Sequence, residues 1–354
     1  MKYTLPQAVQ GLEPYQPIVG RYNVRLDANE SYLQLEPLQA QAFSDRLQEI
    51  EFNRYPDPYA NRLCEAFATY YGVNRDLVTA FNGSDELLSL LAAAFFSDGQ
   101  KLAVFDQDFS MYRIYAEMFG TACEIIPKRE DLTISVEDTL QYLEKHNISA
   151  LLFSNPCNPT SLGLKREDVL RLVEGTEALI ILDEAYMDFW DQSVIKLAGK
   201  YENLMVLRTC SKAIGLAAAR IGFAVTTPKL TKVLRAVKSP YNVNAVSQAF
   251  GEILLTDERF LQEAAEEIIE NRKQLQAELE ELAAAAREIV RVYPSCTNFV
   301  YLETKDSRKI YEALQQRSIA VRLMGKHLRI STGNAHENRK LIRELKAILQ
   351  EGSL

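Results

Sequence analysis

Short apolar runs alternate with helical stretches through the middle of this chain, and that rhythm constrains its fold more than any other feature. Leu179-Ile180-Ile181-Leu182 is apolar at every position. A strand wetted on one side alternates apolar with polar residues, whereas an unbroken run belongs to a central parallel strand covered on both faces. Comparable runs predict strands at Val78–Phe81, Leu102–Phe105, Glu124–Ile126, Ala150–Phe153, Leu204–Arg208 and Ile221–Val225. Helices are expected between them, for example over Asp85–Phe96 and Val136–Lys145. The pattern predicts an α/β fold, a mostly parallel sheet with helices on both faces.

Beyond Asn244 the character changes. A helical region runs from Ala245 towards Arg287, interrupted near Thr256-Asp257, where Asp257 is expected to cap a second helix. The remainder reads as strand (Asn298–Leu302), helix (Arg308–Gln316), two strands (Ile319–Arg322, Leu328–Ser331) and helix (Glu337–Gln350). This is a small α/β domain, and the Pro- and Tyr-rich arm up to Pro37 is expected to pack against it. The chain of 354 residues is long enough for such a division. The expected units are a large domain over 38–244 and a small one made of 1–37 and 245–354.

A formal net charge of -8 and the lack of a basic cluster with interleaved aromatics argue against a nucleic-acid partner. No apolar run approaches the length of a membrane span, and the residues after Met1 do not resemble a signal peptide, so no membrane partner is expected. Cysteines at 64, 123, 157, 210 and 296 form no CxxC pair, which suggests reduced thiols in a cytoplasmic protein. Histidines at 146, 327 and 336 lack metal-ligand spacing, so no metal is expected.

Chemistry concentrates where the strands end. Asp183 follows the apolar run of its strand directly, which places a carboxylate at the carboxyl edge of the sheet, where α/β ligand sites lie. A buried carboxylate needs a cationic partner. Lys212, in Thr209-Cys210-Ser211-Lys212-Ala213, follows the next strand and is expected to be buried beside a cation. Arg220 precedes Ile221-Gly222, and Asn82-Gly83-Ser84-Asp85-Glu86 joins a strand to a helix whose free N–H groups attract an anion. Each segment has a plainer reading when taken alone. Lysines are commonly surface residues, Ser84-Asp85-Glu86 is a normal helix cap, and Asn155-Pro156-Cys157-Asn158-Pro159 is a normal turn. A lysine, a carboxylate and an arginine at consecutive strand ends are together what an enzyme needs to hold pyridoxal 5'-phosphate (PLP). The amine binds the aldehyde, the carboxylate keeps the pyridine nitrogen protonated, and the guanidinium grips the phosphate.

Residue by residue, these segments resemble the fold-type I PLP-dependent aminotransferases, and the wider pattern resembles the histidinol-phosphate aminotransferase family over nearly the whole chain. The resemblance implies that Lys212 carries PLP, with Asp183 and Tyr186 completing the catalytic set. Asn158 and Tyr186 would hydrogen-bond the cofactor's phenolic oxygen. Gly83, Ser84, Asp85, Ser211 and Arg220 would surround its phosphate, and Phe109, or alternatively Tyr112, would stack on its ring. Tyr55, in Asn53-Arg54-Tyr55-Pro56-Asp57, would reach the phosphate of the neighbouring subunit, which implies a homodimer. Tyr15, Asn29, Arg322 and Arg329 would face the substrate, since a guanidinium suits a carboxylate or a phosphate.

The implied reaction passes the amino group of histidinol phosphate to 2-oxoglutarate, a step of histidine biosynthesis between a small-molecule amino donor and a keto acid. The alternatives are a PLP-dependent decarboxylase of a phosphorylated amino acid, such as threonine phosphate, or a general or aromatic aminotransferase. A PLP-binding regulator is disfavoured because the chain carries no added DNA-binding domain. Three departures lie where substrate preference is set. Asn158-Pro159-Thr160-Ser161-Leu162-Gly163 places two residues before the glycine of the family's Asn-Pro-Thr-Gly. Ser31-Tyr32 follows Asn29-Glu30 where the family has Asn-Pro, and the loop between Arg322 and Arg329 is short.

Overall fold

The computed structural model describes residues 3–5, 9–14, 16–96 and 99–351. In chain order the first half contains β1 (Val24–Leu26), α1 (Pro37–Gln48), α2 (Asn61–Tyr71), β2 (Val78–Phe81), α3 (Gly83–Ala94), β3 (Lys101–Phe105), α4 (Met111–Met118), β4 (Ala122–Ile126), α5 (Val136–His146), β5 (Ala150–Ser154) and α6 (Arg166–Glu174). There follow β6 (Leu179–Asp183), β7 (Leu204–Thr209), β8 (Gly222–Val225), α7 (Pro228–Val237), α8 (Ala245–Leu255) and α9 (Glu258–Ala285). The chain ends with β9 (Ile289–Val292), β10 (Phe299–Thr304), α10 (Ser307–Gln316), β11 (Ile319–Met324), β12 (His327–Ser331) and α11 (Ala335–Glu351).

Seven strands form the larger sheet in the order β2-β8-β7-β6-β5-β3-β4. All are parallel to one another except β8, which runs against both of its neighbours. The pleat sends alternate residues to two cores. Ile180, Leu182 and Val206 join the helical layer of α2, α5, α6 and α8, while Ile181, Met205 and Leu207 join that of α3, α4 and α7. This is why the central strands read as unbroken apolar runs, and why the expected mostly parallel, doubly covered sheet is found.

The same alternation separates two carboxylates at the end of β6. Asp183 shares the pleat side of Ile181, and Glu184 shares that of Leu182. Glu184 is wholly buried and ion-pairs with Arg208 at 2.9 Å, while Arg208 also holds Asp188 at 2.7 Å. Removing one partner of such a pair strands a charge at a cost of about 3–5 kcal/mol, so these groups fix the ends of β6 and β7 relative to each other.

The smaller sheet has the order β1-β11-β12-β10-β9. The arm enters it as β1, parallel to β11. The pair β1 and β9 had no expectation in the sequence, because one has three residues and the other lies at the sheet edge with Val290 and Arg291 exposed. Asp257 caps α9 as expected, accepting a hydrogen bond from the Phe260 N–H at 3.2 Å. The change of core falls within α9 and not at residue 244: Leu254 of α8 and Leu261 lie in the core of the larger sheet, and Leu275 and Leu279 in that of the smaller.

Candidate functional site

Strands β2, β3, β5, β6 and β7 point the same way, so the segments that follow them meet at one sheet edge. These carry Gly83, Phe109, Asn158, Asp183 and Lys212. Strand β8 runs the other way and therefore begins at that edge, which brings Arg220, just before it, to the same place. The antiparallel strand is thus the reason an arginine from beyond the lysine can join the group.

At β2 and β8 the backbones approach closely. Gly222 pairs with Phe81 and Thr209. A Cβ there would lie 2.5 Å from the Ser84 nitrogen and 2.6 Å from the Gly83 carbonyl carbon. Helix α3 begins at Gly83, two residues before the expected Asp85, because Gly83 takes a φ of 80° that suits a glycine. A Cβ at Gly83 would lie 2.8 Å from Nη2 of Arg220. Arg220 donates from Nη1 to the Ser211 hydroxyl at 3.3 Å and from Nη2 to the Asp85 carboxylate at 3.0 Å. Gly83, Ser84, Asp85, Ser211 and Arg220 therefore do come together. A carboxylate repels phosphate, so Asp85 serves this cluster by orienting the guanidinium.

Asp183 is 4% exposed. Its Oδ2 accepts from the Tyr112 hydroxyl at 2.8 Å and its Oδ1 from the Ala185 N–H at 3.0 Å. Burial pushes its pKa up to about 6, and the two hydrogen bonds partly oppose that rise. Among the described residues no lysine or arginine forms an ion pair with it. Tyr112 was the alternative ring to stack on the cofactor, but its ring is buried and its hydroxyl is committed to Asp183. Phe109 stands edge-on to Tyr112 at 5.5 Å and is half-buried. This role of Tyr112 was not foreseen, and nothing in the sequence around it signals the contact.

Lys212 is half-buried, less than the sequence suggested. Its Nζ donates to the Ala28 carbonyl at 3.1 Å and lies 5.7 Å from the centre of the Tyr186 ring. The Tyr186 hydroxyl accepts from Asn29 Nδ2 at 3.0 Å. Asn29 is in turn held by Ser331 and Asn298, neither of which the sequence singled out. Arg329 donates to Asn158 Oδ1 at 2.5 Å and to the Asp27 carbonyl at 2.8 Å, so the two residues read as separate contacts are joined directly.

Other expected residues lie further off. Arg322 faces Arg329 across the β11–β12 ladder but lines a cavity with Arg308, Tyr311 and Gln315. Tyr55 is 81% exposed and stacks on Tyr241 at 4.5 Å. Tyr15 lies outside the described residues. The departure after Thr160 has a different physical meaning from the one its spacing suggested. Ser161 itself holds a φ of 63°, the left-handed conformation that glycine favours, so a serine stands at the glycine's position and Gly163 is not a displaced equivalent. The Ser161 hydroxyl lies within hydrogen-bond reach of the Thr160 and Pro294 carbonyls, at 2.5 Å and 3.0 Å, tying the Asn158 segment to the approach to β10.

The donor set fits a phosphorylated cofactor with a cationic ring: a cradle bounded by glycines and an arginine, and a buried carboxylate with no lysine or arginine paired to it among the described residues. The pH dependence of folding tests the second feature. In the cofactor-free protein Asp183 keeps its proton to about pH 6, whereas unfolded it releases it near 3.8. Between these values the folded state binds more protons, so this group's contribution to stability falls as pH rises through that window. Tyr112→Phe removes a bond to the charged form and is expected to carry the fall to higher pH. Denaturant unfolding over a pH series, compared with Asp183→Asn, measures this; identical profiles for all three proteins would refute it.

The description "aminotransferase class I and II" belongs to a family model that matches residues 23–345. A histidinol-phosphate aminotransferase of Clostridium kluyveri is 35% identical over 349 residues, covering 97% of this chain and 98% of its own. One from Pyrococcus furiosus is 33% identical, with 98% of each chain covered. Among solved structures, the histidinol-phosphate aminotransferase of Sinorhizobium meliloti in complex with pyridoxal 5'-phosphate superposes with a TM-score of 0.87 at 23% identity, over 98% of each chain. The L-threonine-O-3-phosphate decarboxylase of Porphyromonas gingivalis gives 0.79 at 22% identity, over 92% of this chain and 99% of that one. With a matched span that runs from the arm strand into α11, and with relatives of this identity over nearly its full length, the chain belongs to the class I and II aminotransferase family and is a transaminase.

Proposed function

We propose that this transaminase uses PLP to exchange an amino group between histidinol phosphate and 2-oxoglutarate, in the cytoplasm. The observation that carries the reading is the gathering of Lys212, Asp183, Asn158 and the Gly83–Arg220 cradle at one sheet edge. Full-length relatives named for this activity support the substrate, and five cysteines without a disulfide support a reducing compartment.

When bound, PLP supplies an electron-accepting ring that stabilises charge developing on the substrate carbon beside the nitrogen. The α3 N-terminus, Ser84, Ser211 and Arg220 would hold its phosphate, and Asp183 would face its ring nitrogen. Asn158 and Tyr186 would face its phenolic oxygen, and Phe109 would cover its ring. Lys212 would hold the aldehyde carbon and, as a free amine, carry the proton to and from the substrate carbon. Arg329 would receive the carboxylate or phosphate of the substrate, with Asn29 beside it. Because Arg329 donates to Asn158, a substrate anion that draws it away changes the partner of a cofactor-facing group.

Three measurements follow. Borohydride treatment of protein incubated with PLP is expected to fix the label on the peptide bearing Lys212; labelling elsewhere, or none, overturns the assignment. A half-reaction screen by cofactor absorbance is expected to respond to glutamate and histidinol phosphate. Arg329→Ala is expected to weaken both by one to two orders of magnitude, since a charge-assisted bond contributes about 1.5–3 kcal/mol. Release of carbon dioxide from threonine phosphate without transfer to 2-oxoglutarate would assign the decarboxylase instead.

The exposed Tyr55–Tyr241 stack supports a homodimer in which Tyr55 completes the partner's phosphate site. Given a severely impaired Tyr55→Ala protein, co-expression with Lys212→Ala is expected to restore activity through one intact site per heterodimer. No restoration between two folded, associated variants would place Tyr55 in its own subunit's site or outside it.

A further inference from the structure

Three neighbouring strand ends bring together an amine and a thiol that the proposed reaction does not use. Lys128 follows β4, Gln107 follows β3 and Cys157 follows β5. Lys128 Nζ lies 3.1 Å from Cys157 Sγ, and both point at the Gln107 carbonyl, at 3.1 Å from Nζ and 3.6 Å from Sγ. Gln107 takes a φ of 49°, which turns its carbonyl into this position. The Asp108 carboxylate beside them favours the charged amine and is held by the Ser154 N–H at 3.2 Å. Four other thiols provide the contrast. Burial pushes Cys64 and Cys123 up to about 11 and raises Cys210 and Cys296, and none of the four has a lysine amine within hydrogen-bond distance among the described residues.

We infer that Lys128 and Cys157 form an oxidation site, at which dioxygen joins the two side chains covalently as a reversible N–O–S bridge. Oxidation of a thiol goes through its thiolate, and here a lysine amine stands 3.1 Å from the sulfur, where it can be captured. At 3.1 Å the two atoms need to move little to admit one bridging oxygen. The step balances with dioxygen as oxidant: Lys–NH3+ and Cys–S− with O2 give Lys–NH–O–S–Cys and one water. The O–O bond breaks, one oxygen bonds to nitrogen and sulfur, and the other leaves as water with two protons from the ammonium. Nitrogen and sulfur each lose an electron pair, and dioxygen takes up both. Asn158 follows Cys157 directly, so the bridge would clamp the segment bearing the proposed cofactor contact and remove the cation beside Asp108. The chemistry of the pair itself does not rest on the proposed reaction.

Mass spectrometry of the full-length protein decides the matter. After exposure to dioxygen, the intact mass of a fraction is expected to rise by one oxygen less two hydrogens. Trypsin should no longer cut after Lys128 in that fraction, and one cross-linked peptide should carry both residues. Dithiothreitol should reverse all three changes. Cys157→Ser and Lys128→Arg should each abolish the bridge, and Cys123→Ser should retain it. A wild-type protein in which Cys157 stays free, or is found as sulfinic acid or a disulfide without linkage to Lys128, overturns the inference, whatever the folding of the variants.

Discussion

The buried carboxylate at the end of β6 organises the rest of the molecule. Removing a carboxylate from water costs several kcal/mol unless hydrogen bonds and a cation meet it. At Asp183 the protein supplies hydrogen bonds, from Tyr112 and Ala185, and no lysine or arginine pairs with it among the described residues. One residue on, Glu184 faces the opposite core and receives Arg208. The pleat thus gives adjacent acids contrasting surroundings, one ion-paired within the fold and the other held by hydrogen bonds at the carboxyl edge. The ion-paired one stiffens the strand end from which the other projects.

A second constraint is the single reversed strand. Were β8 parallel to its neighbours, Arg220 would enter at the far edge, and the cradle around Gly83 would lack its guanidinium. Reversal alone is insufficient, because the Ser84 backbone lies against Gly222. Glycine at that position and at Gly83 lets the α3 N-terminus and the Arg220 guanidinium approach each other closely, which a Cβ at either position would prevent.

The larger sheet was legible because its signal is local. Leu179–Leu182 and Leu204–Leu207 are apolar on both pleat faces, which marks them as central strands. The cradle was legible as well, as a set of residues, from Gly83, Ser211 and Arg220. What the sequence hid were contacts between segments distant in the chain. Nothing near Tyr112 announces Asp183, 71 residues away, and nothing near Asn29 announces Ser331, 302 residues away. The serine at 161 was misleading for a related reason: spacing along the chain suggested extra residues, whereas backbone conformation identifies a replacement. Strand β1 escaped notice because three residues with alternating burial carry too little periodicity to stand out.

Several other hidden contacts join the two sheets. Asn29 leaves the arm after β1 and bonds Tyr186 beside the larger sheet, while Ser331 and Asn298 of the smaller sheet's strand ends hold it. Arg329 on β12 reaches Asn158 beyond β5, and Ser161 reaches Pro294 before β10. Neutral side-chain bonds of this kind each contribute about 0.5–1.5 kcal/mol, and the charge-assisted one of Arg329 about 1.5–3 kcal/mol, far less than the apolar cores on either side. At the site the two sheets are therefore joined both by these polar contacts and by an apolar cluster in which Tyr186 meets Phe299. Arg329 carries one of those contacts, so on the function proposed above a substrate anion that drew it away would compete with the seam between the sheets directly.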